Sequence, residues 1–359
     1  MNYNMKYMPV TVKRSVELIG LFLLGTIIVI GNTIIMPLLM AFFFSLMLLP
    51  VFRFFRKLKV PEGVAIFLPI FLLTIIVALI IWLFSSQVGA LMDDFPKIQR
   101  TVTRHLDDLS IWISNSFGYS PAEQLKFINT QSNKFFSSVG GILSGAAGSI
   151  SGVLIFIGLL PIYIYLIIMY RNLFVKFILM WFKPAEYQNV EEGIRQTEKM
   201  VKNYLIGLLI QITYIVILLS GSLWLLDIKN ALLIGIIFAF LNLIPYLGAL
   251  IGNILGVLLT LASSANVVDI LIVLGAITFV QFLDNNILMP RIVGSQIKIN
   301  PLTAIASIIV AGTMTGISGM FLAMPVISVL KIVFDRSENY KKWGVLLGDE
   351  RPAKSQMKV

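Results

Sequence analysis

The sequence predicts an all-α polytopic membrane protein with about eight spans, whose C-terminal third holds two broken, re-entrant helical hairpins arranged as an inverted repeat. Three observations predict it. The 359 residues are 58% hydrophobic and only 13% charged, with mean hydropathy +0.90, far from the mix that lets a soluble domain cover its apolar surface. Apolar runs such as Val64 to Phe84, Ser151 to Tyr170 and Ile206 to Leu226 recur, each near the roughly 20 residues that cross a bilayer core as helix. Two further apolar stretches are interrupted mid-way by Gly, Pro and Asn.

Charge sets the expected orientation. Of 28 basic residues, 22 fall on one side of the predicted spans: those around Lys13 and Arg14, the group from Arg53 to Lys59, the group from Arg171 to Lys202, Arg291, Lys298 and the seven from Lys331 to Lys358. Cytoplasmic loops carry that excess, so both termini are expected in the cytoplasm. Between Leu91 and Gly152 five basic residues are balanced by Asp93, Asp94, Asp107, Asp108 and Glu123, which predicts an exoplasmic segment.

Residues 1–90 are read as N-terminal membrane helices. The first apolar run, Val16 to Ile30, has no small-residue cleavage pattern behind it and leads into a second run, so it is expected to stay as a helix rather than act as a signal peptide. The pair 16–50 is expected to turn near Gly31 and Asn32, and 63–90 to return outward.

Residues 91–150 form the expected exoplasmic, amphipathic helical insertion. Ser120-Pro121-Ala122-Glu123 reads as a capping box with proline at the first helical position. Gly141, Gly145, Gly148 and Gly152 make a small-residue face, which predicts close helix packing within the chain or a homo-oligomeric contact.

Residues 151–228 are membrane helices interrupted by a cytoplasmic amphipathic helix over 184–202, where Glu191/Arg195 and Glu198/Lys202 are spaced i,i+4. Residues 204–226 form the following span.

The transport core is placed at 229–335, followed by a polar cytoplasmic tail over 336–359. The stretch 229–263 is broken by Asn242-Leu243-Ile244-Pro245-Tyr246-Leu247-Gly248, and the stretch 301–334 by Gly312-Thr313-Met314-Thr315-Gly316 and Gly319. Each broken stretch follows a full span, and the two sets run in opposite directions. Paired interruptions of this kind mark a transporter's midplane site, because irregular backbone at that depth needs protein, a cavity or a ligand to satisfy its polar groups. Asn242, Pro245, Tyr246, Gly248, Gly312, Thr313, Thr315 and Gly316 are therefore pathway candidates.

Asp284 is the one acid well inside an apolar run, since Asp227 and Asp269 sit at interfaces. A carboxylate there costs on the order of 2.5–3.5 kcal/mol on insertion scales unless partnered. Gln281, Asp284 and Asn285, at i, i+3 and i+4, share a helical face able to bind a cation, a proton or a polar solute; a helix cap or a pair with Arg291 is the structural alternative. Gln211 and Thr213 add polar groups to another span.

Other classes are disfavoured. Cysteine is absent and His105 is the single histidine, so thiolate chemistry is excluded. The chain carries no H-E-x-x-H, no nucleophile elbow and no Walker A motif. No filter-like loop suggests a channel. The charge is dispersed between apolar runs, not gathered on a nucleic-acid-binding face. No cofactor, metal site or catalytic residue is expected, and an intramembrane enzyme is the least supported alternative. The expected partners are the lipid bilayer and a small solute, with Na+ or H+ as coupling ions in the alternative of a cation/proton antiporter.

Three ordered blocks carry a family resemblance: Asn242-Leu-Ile-Pro245-Tyr246-Leu-Gly248; Gln281-Phe-Leu-Asp284-Asn285-Asn286 with Pro290-Arg291-Ile-Val-Gly294; and Asn300-Pro301-Leu302 followed by Gly312, Gly316, Gly319 and Pro325. In these the chain resembles the autoinducer-2 exporter (PerM-like) family of bacterial permeases. Ala249 stands where that family often has proline, and Asn300 where it often has histidine. The resemblance implies an eight-spanning protein of the bacterial cytoplasmic (inner) membrane, acting in efflux of autoinducer-2 or in sodium/proton exchange.

Overall fold

The computed structural model describes residues 9–117, 130, 134, 137, 150–244, 247–264, 266–288 and 298–349. Every regular element among them is helical. The helices are α1 (Val10–Ile30), α2 (Asn32–Lys57), α3 (Glu62–Phe117), α4 (Ile150–Met169), α5 (Arg171–Leu179), α6 (Tyr187–Ile215), α7 (Gly221–Leu225), α8 (Ala231–Leu241), α9 (Leu247–Ser263), α10 (Val267–Leu283), α11 (Pro301–Arg336) and α12 (Lys341–Leu347). Wider π-type turns cover Val216–Ser220 and Asp284–Leu288.

Several joints differ from the expected loops. Only Gly31 separates α1 from α2, and its amide still reaches Ile27 O at 2.8 Å. The segment 184–202 and the following span are not separate elements. After a short 3-10 turn at Pro184–Glu186, one helix runs from Tyr187 to Ile215, because nothing between Lys202 and Tyr204 breaks it. Likewise α3 passes from the apolar run into the amphipathic segment without interruption, keeping Pro96 inside. The capping box and Gly141, Gly145 and Gly148 lie outside the described residues, as does Arg291.

Helix ends follow from local chemistry. At Lys59 (φ 61°) and Asp227 (φ 55°) the chain turns left-handed. In each case the next amide bonds back five residues, Val60 N to Phe55 O and Ile228 N to Leu223 O. This is the Schellman ending, which satisfies terminal carbonyls. Asn266 caps α10 through Val268 N at 3.1 Å, and Asn300 caps α11 through Thr303 N at 2.8 Å, with Pro301 at the first position.

By length and composition five helical stretches among the described residues could cross a membrane, or six if the bent pair Gly158–Met169 and Arg171–Leu179 counts as one span. Eight were expected. Part of the difference is that α8 and α9 are 11 and 17 residues long.

The chain divides into two compact units. One comprises Met1–Leu49, Gly158–Val201 and Lys298–Val359, the other Pro50–Ile157 and Lys202–Ile297.

In the first unit, α11 is counted above as one stretch but is folded. A straight helix of its 36 residues would be about 54 Å long. Yet Asn300, just before its start, bonds to Leu346 O and Gly348 O, while Asp335 at its far end packs on Gly344. The turn is at Gly316 (φ 68°, ψ −148°), a conformation open essentially to glycine alone. Across it Met320 packs on Gly312, and the Ala311 carbonyl lies against Gly319. The break expected between Gly312 and Gly319 is thus a tight hairpin with arms 301–315 and 317–336. Its base is tied to α6: Arg336 donates to Asn189 Oδ1 at 2.8 Å and Gln196 Oε1 at 3.0 Å, and pairs with Glu192 at 3.6 Å.

In the second unit, α8 and α9 form the other hairpin, packed against α10, α3 and the π turn after α6. The core holds Leu219, Leu223, Ile234, Phe238, Leu259, Val273 and Ile277. Lipid tails are as apolar as leucine, so close packing, not transfer from water, must hold such a core. Glycines permit it: Gly248, Gly252 and Gly256 line one side of α9. A side chain there would strike the Asn242 backbone, the Phe238 ring and Ile277 respectively.

Candidate functional site

The second unit gathers polar groups around Asp284, which is 1% exposed. Gln211 Nε2 donates to Oδ2 at 2.9 Å, Asn242 Nδ2 donates to the same oxygen at 3.2 Å, and the Tyr214 hydroxyl donates to Oδ1. Three elements converge: α6 supplies Gln211 and Tyr214 at i,i+3, the end of α8 supplies Asn242, and the turn following α10 supplies Asp284. All three donors are neutral, and among the described residues no cation is paired with Asp284.

Local backbone explains the convergence. Asp284 is the first residue of a π turn, where the inserted residue shifts the facing of side chains relative to a regular helix. Asp284 points inward while Asn285 is exposed and accepts from Gln281 Nε2 at 3.2 Å. The face expected to present Gln281, Asp284 and Asn285 together is thus divided. Tyr214 likewise lies two residues before the second π turn, Val216–Ser220. Asn242 ends α8, its amide bonded to Phe238 O at 2.9 Å, and Gly248 presses on its backbone from the start of α9. The hairpin tip therefore fixes where the Asn242 amide can reach.

Two acceptors are left over. Gln211 Oε1 and Gln281 Oε1 are buried and have no hydrogen-bond partner. An unsatisfied buried polar group costs about 1–3 kcal/mol, so each marks a position where a donor from elsewhere would be stabilising. Chemically the cluster offers acceptors backed by neutral donors, which suits a solute rich in hydroxyl or N–H groups.

Of the pathway residues expected from sequence, Asn242, Gly248 and Asp284 meet at this cluster, with Gln281 and Asn285 within a turn of it on the same helix. Pro245 and Tyr246 lie outside the described residues. Gly312, Thr313, Thr315 and Gly316 belong to the hairpin of the first unit. There Thr313 and Thr315 donate to their own helix, at Val310 O and Ala311 O. Thr213 also turns away, donating to Leu209 O from an exposed position. Tyr214 is the member that sequence reasoning missed. Its signal was present, since it sits one turn beyond Gln211 on the same face. The α9 glycine stripe was missed too, although its four-residue spacing is readable.

A model of the AI-2E family transporter group matches residues 18–339. Among similar curated proteins, Putative transport protein YrrI of Bacillus subtilis (strain 168) is 25% identical over 319 residues, covering 84% of this chain and 86% of the relative. Putative transport protein YhhT of Escherichia coli (strain K12) is 25% identical over 320 residues, covering 89% of each. AI-2 transport protein TqsA of Escherichia coli (strain K12) is 23% identical over 318 residues, covering 88% and 90%.

Proposed function

Because this chain belongs to the AI-2E transporter family, we propose that it exports a small, polar, hydroxyl-rich solute of the autoinducer-2 type, and that the Asp284 cluster is where the solute binds. The protein is a multi-pass membrane transporter. Its proposed setting is the bacterial cytoplasmic membrane with both termini inside, which the excess of Lys and Arg on one side supports.

One observation carries the site: a carboxyl group 1% exposed between apolar helices, held by Gln211, Tyr214 and Asn242, with the other amide atom of Gln211, Oε1, buried and without a partner. A polar cluster at that depth is costly, and its retention is best explained by use. A donor of the solute would satisfy Gln211 Oε1. The broken hairpin carrying Asn242 would move relative to α6 and α10 to open the site to alternate sides. Neither catalysis nor a cofactor is part of this proposal.

Exchange of Na+ for H+ is not favoured, since the hydrogen-bond partners of Asp284 among the described residues are all neutral. The functional test is efflux from proteoliposomes loaded with autoinducer-2 or a comparable polyhydroxylated solute. Wild type should release the solute faster than Asp284→Asn. Equal release by both, at equal protein content, rejects the site.

A further inference from the structure

Beyond the solute site, α5 has the make-up of a lipid-binding element. It follows α4 after a single residue, Tyr170 (φ −94°, ψ 12°), and is bent 61° from it. Arg171 Nη1 donates to Ile168 O at 2.8 Å, capping the last turn of α4 and holding the bend. None of the nine residues of α5 is buried.

The faces of α5 are distinct. Leu173, Phe174, Phe177 and Trp181, the last just past its end, lie on one side by helical spacing and are all exposed, Trp181 at 76%. The rings of Phe177 and Trp181 meet edge-on at 6.0 Å. Val175 and Leu179 lie on the opposite side and are half-covered. Lys176 and Lys183 are exposed at the margin. From Arg171 to Ala185 the chain has three basic residues and no acid, and the next residue, Glu186, accepts from the Lys183 backbone amide at 3.0 Å.

We propose that α5 lies in the headgroup layer as an anionic-phospholipid site, with Phe174, Phe177 and Trp181 at the acyl boundary and Lys176 and Lys183 against lipid phosphates. Position and charge both commit it to that occupant. A helix joined by one residue to a membrane helix starts at the depth where that helix ends, and the 61° bend turns it away from that helix's direction. Aromatic residues sit at that level, and lysines keep their stems apolar while their ammonium groups reach phosphate. Each lysine near an anionic surface strengthens a segment's binding to that surface about fivefold. The inference does not depend on the solute or on Asp284.

The test uses the full chain in vesicles of phosphatidylcholine and phosphatidylglycerol, with one or the other lipid brominated. Trp181 emission is obtained by subtracting the spectrum of Trp181→Phe. It is expected to be quenched by both lipids, and about threefold or more strongly by the brominated phosphatidylglycerol at equal mole fraction. Lys176→Gln combined with Lys183→Gln is expected to equalise the two while leaving quenching itself in place. Failure of either lipid to quench Trp181 would mean that protein, such as a second copy of the chain, covers this face. Equal quenching in wild type would mean a lipid contact without headgroup selection. Either result overturns the proposal.

Discussion

Gln211 Nε2 and Asp284 Oδ2 are 2.9 Å apart across 73 residues of sequence, and this contact fixes the direction of the Gln211 side chain. With Asp284 ionised, an amide flipped the other way would set its oxygen against the carboxylate. The nitrogen therefore stays on Asp284, and Oε1 is directed elsewhere, buried and without a partner. A glutamine that both braces the carboxyl group and offers an acceptor links the scaffold to the proposed solute.

Gln211→Leu and Tyr214→Phe test that brace. Each removes one donor from a buried carboxyl group while keeping similar bulk, so each is expected to lower unfolding stability in detergent by about 1–3 kcal/mol. Solute efflux should fall by at least about tenfold in Gln211→Leu, which also loses the acceptor, and less in Tyr214→Phe. Equal effects of the two on efflux, at matched stability, would count against a solute contact at Gln211 Oε1.

Gly252→Ala is expected to destabilise the α8–α9 hairpin by about 1–3 kcal/mol, since the added methyl meets the Phe238 ring. Gly221→Ala is the control. Its methyl would meet nothing within 4 Å, and alanine favours helix by roughly 0.5–1 kcal/mol. Thermal unfolding of the two variants should shift in opposite directions.

Gly316→Ala separates backbone strain from packing. There is open space around the position, but its φ of 68° suits glycine. The expected cost is about 1–3 kcal/mol, with faster hydrogen exchange concentrated in 311–320. Unchanged exchange there would mean the turn is held without help from glycine.

Asn300→Asp and Asn300→Ala separate two jobs of one side chain. Oδ1 caps α11, while Nδ2 donates to Leu346 O at 2.7 Å and Gly348 O at 3.0 Å. Aspartate should keep the cap and release α12, giving a C-terminal segment more readily cut by protease with little change in melting. Alanine should lose both, and about 1 kcal/mol more.

Much of this was legible from the chain. The two hairpin breaks stand in the sequence as Gly- and Asn-containing interruptions of apolar runs. Asp284 is conspicuous because an acid in an apolar run demands a partner. Its partners were less legible: Gln211 and Tyr214 lie 73 and 70 residues away, and only packing brings them together. Asn285 follows Asp284 directly but is exposed, and its side-chain oxygen accepts from Gln281. Continuity of α6 was hidden by composition, because the change from amphipathic to apolar near Lys202 looks like a boundary although no residue there stops a helix. The role of Asn300 was also concealed, since a capping asparagine is readable from Pro301 but its second bond, to α12, is not.

The most direct measurement of the central claim is efflux of autoinducer-2 from proteoliposomes containing wild type or Asp284→Asn, reconstituted at equal density and checked for equal melting. The account predicts release by wild type, and release slowed by at least about tenfold in the variant even where it melts with wild type. Undiminished release by a stably folded Asp284→Asn protein would contradict it, and would leave the cluster a structural brace.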